Sequence, residues 1–263
     1  MKRKWHLFFA ITVAFLIFAV PAHAIFCGSC GTNNPEGSEY CMSCGNPLQP
    51  PENNIYERSS ALFEKEQYDQ VISLLEGFCA YNPKDIKSRL LLAKAYIEEC
   101  ELLKQKGSAG YKSMVIKAYE IGKEIHLARD EHLPEALYVC GRSFHINERS
   151  ERAIKYIKKA IRLSNAPPPE YFIALGDAQF TVARNEDPTG LKTPYYLLAK
   201  TTYQKAIDAD TPNNAKAKAY YKIGVLHLYL DEKKSAGQAL NSALTLAETD
   251  ALILRIKHTL ESL

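Results

Sequence analysis

Three pairs of alanines, each seven residues apart, constrain this chain more than anything else in it: Ala153 and Ala160, Ala199 and Ala206, Ala236 and Ala243. Seven residues is about two helical turns, so both members of a pair share one face and let a second helix approach closely. The partner helix stands upstream each time, where an apolar residue precedes a glycine: Cys140-Gly141, Leu175-Gly176 and Ile223-Gly224. Large residues between the alanines (Ile157, Tyr203, Leu240) must fill the gap that remains. From Ile55 onward the apolar period is helical and strand signals vanish. Punctuation recurs at Asn82-Pro83, at the run from Asn165 to Pro169, and at Thr211-Pro212-Asn213-Asn214.

Small-on-small contacts at fixed spacing in helix pairs resemble the tetratricopeptide repeat. Gly141 and Gly176 lie 35 residues apart, close to that family's period. The first unit is a looser copy: Leu62, Tyr68, Val71, Leu75, Phe78 and Pro83 stand at the expected apolar, aromatic and terminal positions, and Ser59 replaces the glycine. The second begins near Asp85, with Leu92-Ala93, Tyr96, Val115 and Tyr119. Units two and four carry extra residues around Cys100 to Gly110 and Thr181 to Leu191, read as lengthened helices or protruding loops. The resemblance implies an all-α, TPR-like α-solenoid of about five helix pairs from near Asn53 to near Glu248, closed by a capping helix over Thr249 to Leu263. It also implies that the first helix of each pair lines a concave groove for an extended peptide or a partner helix. The groove residues would be Tyr56, Phe63, Leu90, Lys94, Tyr138, Arg142, Asp177, Phe180, Tyr221 and Leu228. The basic and asparagine set with which some family members clamp a terminal carboxylate is reduced here to scattered Lys94 and Arg142.

Ahead of the helices stand Cys27-Gly28-Ser29-Cys30 and Cys41-Met42-Ser43-Cys44, ten residues apart and each followed by glycine, Gly31 and Gly45. A two-residue gap points both thiolates of a pair at one place. The glycine lets the backbone turn through positive φ and aim N–H groups at sulfur. Two facing knuckles make a tetrahedral Cys₄ site, the geometry structural zinc prefers. The stretch resembles the small zinc ribbons found at the ends of many bacterial proteins, which implies one structural zinc per chain held by Cys27, Cys30, Cys41 and Cys44. Without metal, so short a segment rich in Gly, Asn, Pro and Ser cannot bury a core, and its thiols would be disordered or disulfide-bonded. Haem attachment would need a histidine after a CxxC, and a thioredoxin-like role would need a βαβ setting.

Met1-Lys2-Arg3-Lys4, the apolar run Leu7 to Val20 and the sequence Pro21-Ala22-His23-Ala24 have the order of a secretory signal peptide, cleaved after Ala24. An uncleaved anchor through residues 5–20 is the alternative. Either places the body outside the cytoplasm, periplasmic or extracellular, where oxidants compete with zinc for the four thiols. Lys2, Arg3 and Lys4 account for the whole +3 net charge, leaving 30 basic against 30 acidic residues. A neutral body has no electrostatic footprint for nucleic acid. The expected layout is a signal peptide or anchor over 1–24, a zinc ribbon over 25–47, a Pro-rich linker over 48–54 and helical repeats over 55–263.

No P-loop, dinucleotide glycine pattern, HExxH or GxSxG occurs, so no enzyme is expected. His126, Asp130 and His132 read as surface polar residues at a helix end. Cys79, Cys100 and Cys140 sit in apolar stretches as small hydrophobes. Most of the sixteen tyrosines should pack between helices. The functional expectation is an exported protein-interaction scaffold. The competing one is an envelope thiol-disulfide or zinc-handling protein that uses the two CxxC pairs, with the repeats as a docking arm.

Overall fold

The computed structural model describes residues 25–27, 29–35, 38, 40–46, 48, 54–108, 110–128, 132–186, 193–208 and 210–263. The expected leader over 1–24 and most of the linker lie outside the described residues, as does part of the fourth unit's insert. A two-residue antiparallel ladder comes first, β1 (Ile25–Phe26) on β2 (Asn33–Asn34), with Ile25 opposite Asn34. Among the described residues five helix pairs follow: α1 (Asn54–Glu64) with α2 (Tyr68–Tyr81), α3 (Ile86–Gln105) with α4 (Tyr111–Ala128), α5 (Leu133–Ile146) with α6 (Ser150–Leu163), α7 (Pro169–Glu186) with α8 (Thr193–Asp208), and α9 (Asn213–Tyr229) with α10 (Lys233–Leu246). The helix α11 (Asp250–Glu261) ends the array against α10. The extra residues of units two and four lengthen α3, which has 20 residues, and α7, which has 18.

First helices of neighbouring units touch one another, α1 to α3, α3 to α5, α5 to α7 and α7 to α9. The second helices pack mainly on the first helices before and after them. This asymmetry curves the array, with first helices inside and second helices splayed outside. The turns inside units one, three and five share one device. Glu66, Glu148 and Asp231 adopt left-handed φ of 58° to 61°. There the next amide donates back across the turn, as Gln67 N–H does to Leu62 O and Arg149 N–H to Phe144 O. Those bonds satisfy carbonyls that the helix end leaves open.

The helix pairs meet where the alanine period says they should. Ala153, Ala160, Ala199, Ala206, Ala236 and Ala243 are all fully buried, as are Ile157 and Leu240, with Tyr203 nearly so. A methyl group added at Gly176 would lie 2.4 Å from the ring of Tyr203, at Gly141 2.6 Å from Ile157, and at Gly224 2.7 Å from Leu240. Tyr96, Tyr171 and Tyr196 are likewise enclosed, and Cys79, Cys100 and Cys140 are buried with thiols that burial pushes up to about 12.

These contacts decide between two opposed effects at Gly176. Alanine would gain about 1 kcal/mol of helix propensity. It would also force aside a ring whose hydroxyl is fixed on Asp177 at 2.7 Å, and overpacking of this kind costs about 1–3 kcal/mol. Gly176→Ala should therefore lose about 1 kcal/mol of stability in urea unfolding. Gly224→Ala, facing a leucine that can change rotamer, should lose less. A gain at Gly176 would contradict the close contact.

Candidate metal centre and inward-facing strip

The two CxxC segments fold as a matched pair of knuckles. In the first, Gly31 N–H donates to Cys27 O at 2.9 Å and Cys27 N–H to Thr32 O at 2.8 Å. In the second, Gly45 N–H donates to Cys41 O at 2.9 Å and Cys41 N–H to Asn46 O at 2.8 Å. Gly31 and Gly45 hold φ of 77° and 71°, a conformation natural to glycine. One expectation differs in detail, since the glycine amides close the loop on carbonyl oxygen while Ser29 N–H points at Cys27 Sγ at 3.4 Å.

The knuckles bring Cys27 Sγ to 3.6 Å from Cys44 Sγ and Cys30 Sγ to 3.5 Å from Cys41 Sγ, and all four sulfurs lie within 4.8 Å of one another. Zn–S bonds of about 2.3 Å in a tetrahedron place sulfurs about 3.8 Å apart, so the four residues fit that ion. The thiols also differ in acidity. Burial opposes ionisation of Cys41, but the N–H groups of Cys44 and Ser43 and the thiols of Cys30 and Cys27 outweigh it and pull Cys41 down to about 6. Asn46 N–H favours the Cys44 thiolate, yet Cys30, burial, Cys27 and Cys41 together push it up to about 12. The hydroxyl and amide of Thr32 lower Cys30. Cys41 and Cys30 are thus held below the usual thiol range while Cys44 resists ionisation, a resistance that a dication at the centre would remove.

Asn34 completes this centre, and sequence reasoning does not single it out. It is buried at 1% exposure, with Nδ2 donating to Thr32 O at 2.9 Å and reaching Cys41 Sγ at 3.6 Å. Its Oδ1 accepts from Met42 N–H at 2.8 Å. One side chain therefore ties both knuckles together, and an amide residue between two CxxC pairs is the signal that could have found it.

The second candidate site is the strip where the first helices adjoin. Arg142 is buried, with Nη1 on Tyr138 Oη at 2.7 Å and Glu98 at 3.1 Å, and Nη2 on Glu101 at 2.7 Å. Lys94 pairs with Glu135 at 2.9 Å, and Lys222 with Asp177 at 2.8 Å. These pairs run from α3 to α5 and from α7 to α9. Burial pushes Glu98 up against the opposing pull of Arg142, whereas at Glu101 Arg142 wins over burial and holds the carboxyl at about 2. Both carboxylates still show about a quarter of their side-chain surface, 27% and 28%, so water reaches the strip. Glu66 pairs with Lys218 at 3.0 Å and accepts from Thr249 Oγ1 at 3.4 Å, tying the first unit to the last.

The ten expected groove residues divide. Lys94, Asp177 and Arg142 belong to the ion-paired strip. Tyr138 is buried, stacked on Tyr171 at 4.5 Å and 16°. Leu90 is core at 2% exposure, so neither it nor Tyr138 is open lining. Phe63 stands edge-on to Tyr68, and Phe180 packs between Tyr196 and Tyr229. Tyr221 and Leu228 are half-buried against the last core cluster, and Tyr56 is exposed. Curvature across repeats, which no single helix encodes, draws part of this set inward.

The zinc-ribbon domain model matches residues 26–48, and the tetratricopeptide repeat model matches residues 134–167 and 217–250. The chain thus carries a zinc ribbon followed by tetratricopeptide repeats, with the matched repeats falling on α5–α6 and α9–α10. Two crystal structures of MamA resemble it: one at 20% identity, covering 72% of this chain and 93% of that one with a TM-score of 0.43, the other at 21%, covering 73% and 90% with a TM-score of 0.42. The tRNA uridine 5-carboxymethylaminomethyl modification enzyme MnmG of Ureaplasma urealyticum serovar 10 is 22% identical over an alignment of 218 residues that covers 78% of this chain. The chain spans 34% of that relative's length.

Asn34→Ala removes the amide that orients both knuckles while leaving all four sulfurs. Groups of this kind typically contribute about 10- to 100-fold to metal affinity. Zinc affinity by competition with a chromogenic chelator should therefore fall by at least about tenfold, with the helical circular dichroism unchanged. Unaltered affinity would remove Asn34 from the site.

Proposed function

We propose that this chain is an exported protein-interaction scaffold: the repeats hold a segment of a partner protein along the inward strip, and the ribbon is a structural module with one zinc per chain. Export rests on the charged, apolar and small-residue order of residues 1–24, with membrane association through residues 5–20 if that segment stays attached. The observation that carries the binding proposal is the strip itself. Successive first helices present charged groups of both signs, part-open to water, on a rigid curved support. Within it Lys94, Arg142, Lys218 and Lys222 face Glu66, Glu98, Glu101, Glu135 and Asp177, so the signs nearly balance. A balanced strip suits an extended segment held by many hydrogen bonds better than it suits capture of a single carboxylate. No nucleic-acid partner and no catalysis are part of this reading.

The thiol-disulfide alternative requires an exposed thiol with a depressed pKa. Here Cys41, pulled down furthest, is buried, Cys30, lowered by its bonds to Thr32, is half-buried, and the exposed Cys44 is pushed up, so the fully exposed thiol is not the depressed one. That distribution favours metal retention over exchange.

Arg142 is a poor probe of binding, because removing it strands Glu98 and Glu101 and damages folding. Photocrosslinking side chains at Lys94 and Lys222, part-exposed residues that each pair with a single carboxylate, disturb less and are compared with the same group at exposed, outward Ile116 and Leu254. In the native host, a discrete protein adduct should form at the inward pair only and fractionate with the envelope. Adducts only at the outward pair would overturn the groove, and a cytosolic adduct would overturn export.

A further inference from the structure

The splayed second helices leave clefts on the outer side, and one is chemically distinct. Between α6 and α8, with α7 as floor, lies a cleft of about 530 Å³ lined by Lys155, Lys158, Ile161, Arg162, Phe172, Leu175, Thr202 and Lys205. That volume falls in the usual range for ligand clefts, about 300–1,000 Å³. Its walls carry four cations and no carboxylate, and none of the four is in an ion pair among the described residues. Its floor is apolar: Ile161 and Phe172 are half-buried and Leu175 is buried. Leu198, one turn before Thr202, adds an exposed apolar side chain on the same helix.

Four like charges around one cleft repel one another, and nothing in the fold of these helices requires them. Lys155, Lys158 and Arg162 are all exposed, so they are not spacers for the core. From this we infer a second docking surface, on the outer face and independent of the inward strip, that binds an acidic segment of a partner protein carrying a bulky apolar side chain. The apolar side chain enters over Phe172 and Leu175, and carboxylates on either side meet Lys155 and Lys158 on one wall and Lys205 on the other. A recessed apolar floor favours a peptide over a bilayer, which would meet the rim alone. The electrically neutral body gives no long-range attraction to a nucleic-acid backbone, whose binding scales with the phosphates neutralised.

The test uses the full chain and a fluorescent peptide of glutamates flanking a central phenylalanine, read by anisotropy. Binding should weaken about tenfold in Lys155→Glu with Lys158→Glu, and severalfold when the phenylalanine is replaced by serine. It should also weaken as salt rises from about 50 to about 300 mM. Lys112→Glu with Lys234→Glu, reversing two exposed lysines elsewhere, should leave it unchanged. Equal loss in that control pair, or no loss in the cleft pair, would overturn the site. Indifference to the phenylalanine would do the same, as would tighter binding of phosphatidylglycerol vesicles or single-stranded DNA through the same lysines. Because Lys155 and Lys158 line the outer cleft and take no part in the inward strip, these outcomes are separate from the inward crosslinks.

Discussion

The array rests on how closely the two helices of a repeat can approach. Gly176 lies so near the ring of Tyr203 that no side chain fits between them, and Gly141 on Ile157 and Gly224 on Leu240 repeat the arrangement. Alanines one face over (Ala199 and Ala206 beside Tyr203) keep the interface thin, so each pair packs as one unit. A unit of this kind cannot cover its own apolar flank, and stacking on the next unit buries it. Curvature follows because the first helices also touch each other and the second helices do not to the same degree.

That curvature makes both faces of the molecule. Inside, it presses charged residues from separate repeats together, and Arg142 becomes tolerable only because Glu98, Glu101 and the Tyr138 hydroxyl surround it. Outside, it opens the α6–α8 cleft with its four cations. The ribbon is held by a different force. Its two short knuckles bury little beyond Cys27, Cys41 and Asn34 and depend on what four sulfurs and Asn34 can hold between them.

What is legible in the sequence follows this division. Alanines seven apart and glycine after an apolar residue are local steric demands with a period. They point to the helix pairs, and to Ile157, Tyr203 and Leu240 as the residues between them. The cysteine spacing is equally direct, since two residues between thiols leave few geometries. The turn residues Glu66, Glu148 and Asp231 are not legible, because a left-handed φ without glycine leaves no mark in the chain. Nor is the fate of Tyr138 and Leu90. Their positions on the first helix match the groove pattern, but their burial is set by α7 and by neighbouring repeats. Asn34 has the sequence setting of a turn residue and is instead the buried link between knuckles.

Two different forces therefore hold the two parts: helix-pair packing for the repeats and, on the proposed reading, metal for the ribbon. The direct measurement is metal content of the purified full chain, followed by chelation with far-ultraviolet circular dichroism and thiol titration. The expected result is about one zinc per chain, four thiols that become reactive on chelation, and helicity essentially unchanged. Absence of zinc with two disulfides among Cys27, Cys30, Cys41 and Cys44 would contradict the metal half, and a large loss of helix on chelation would contradict the independence of the repeats.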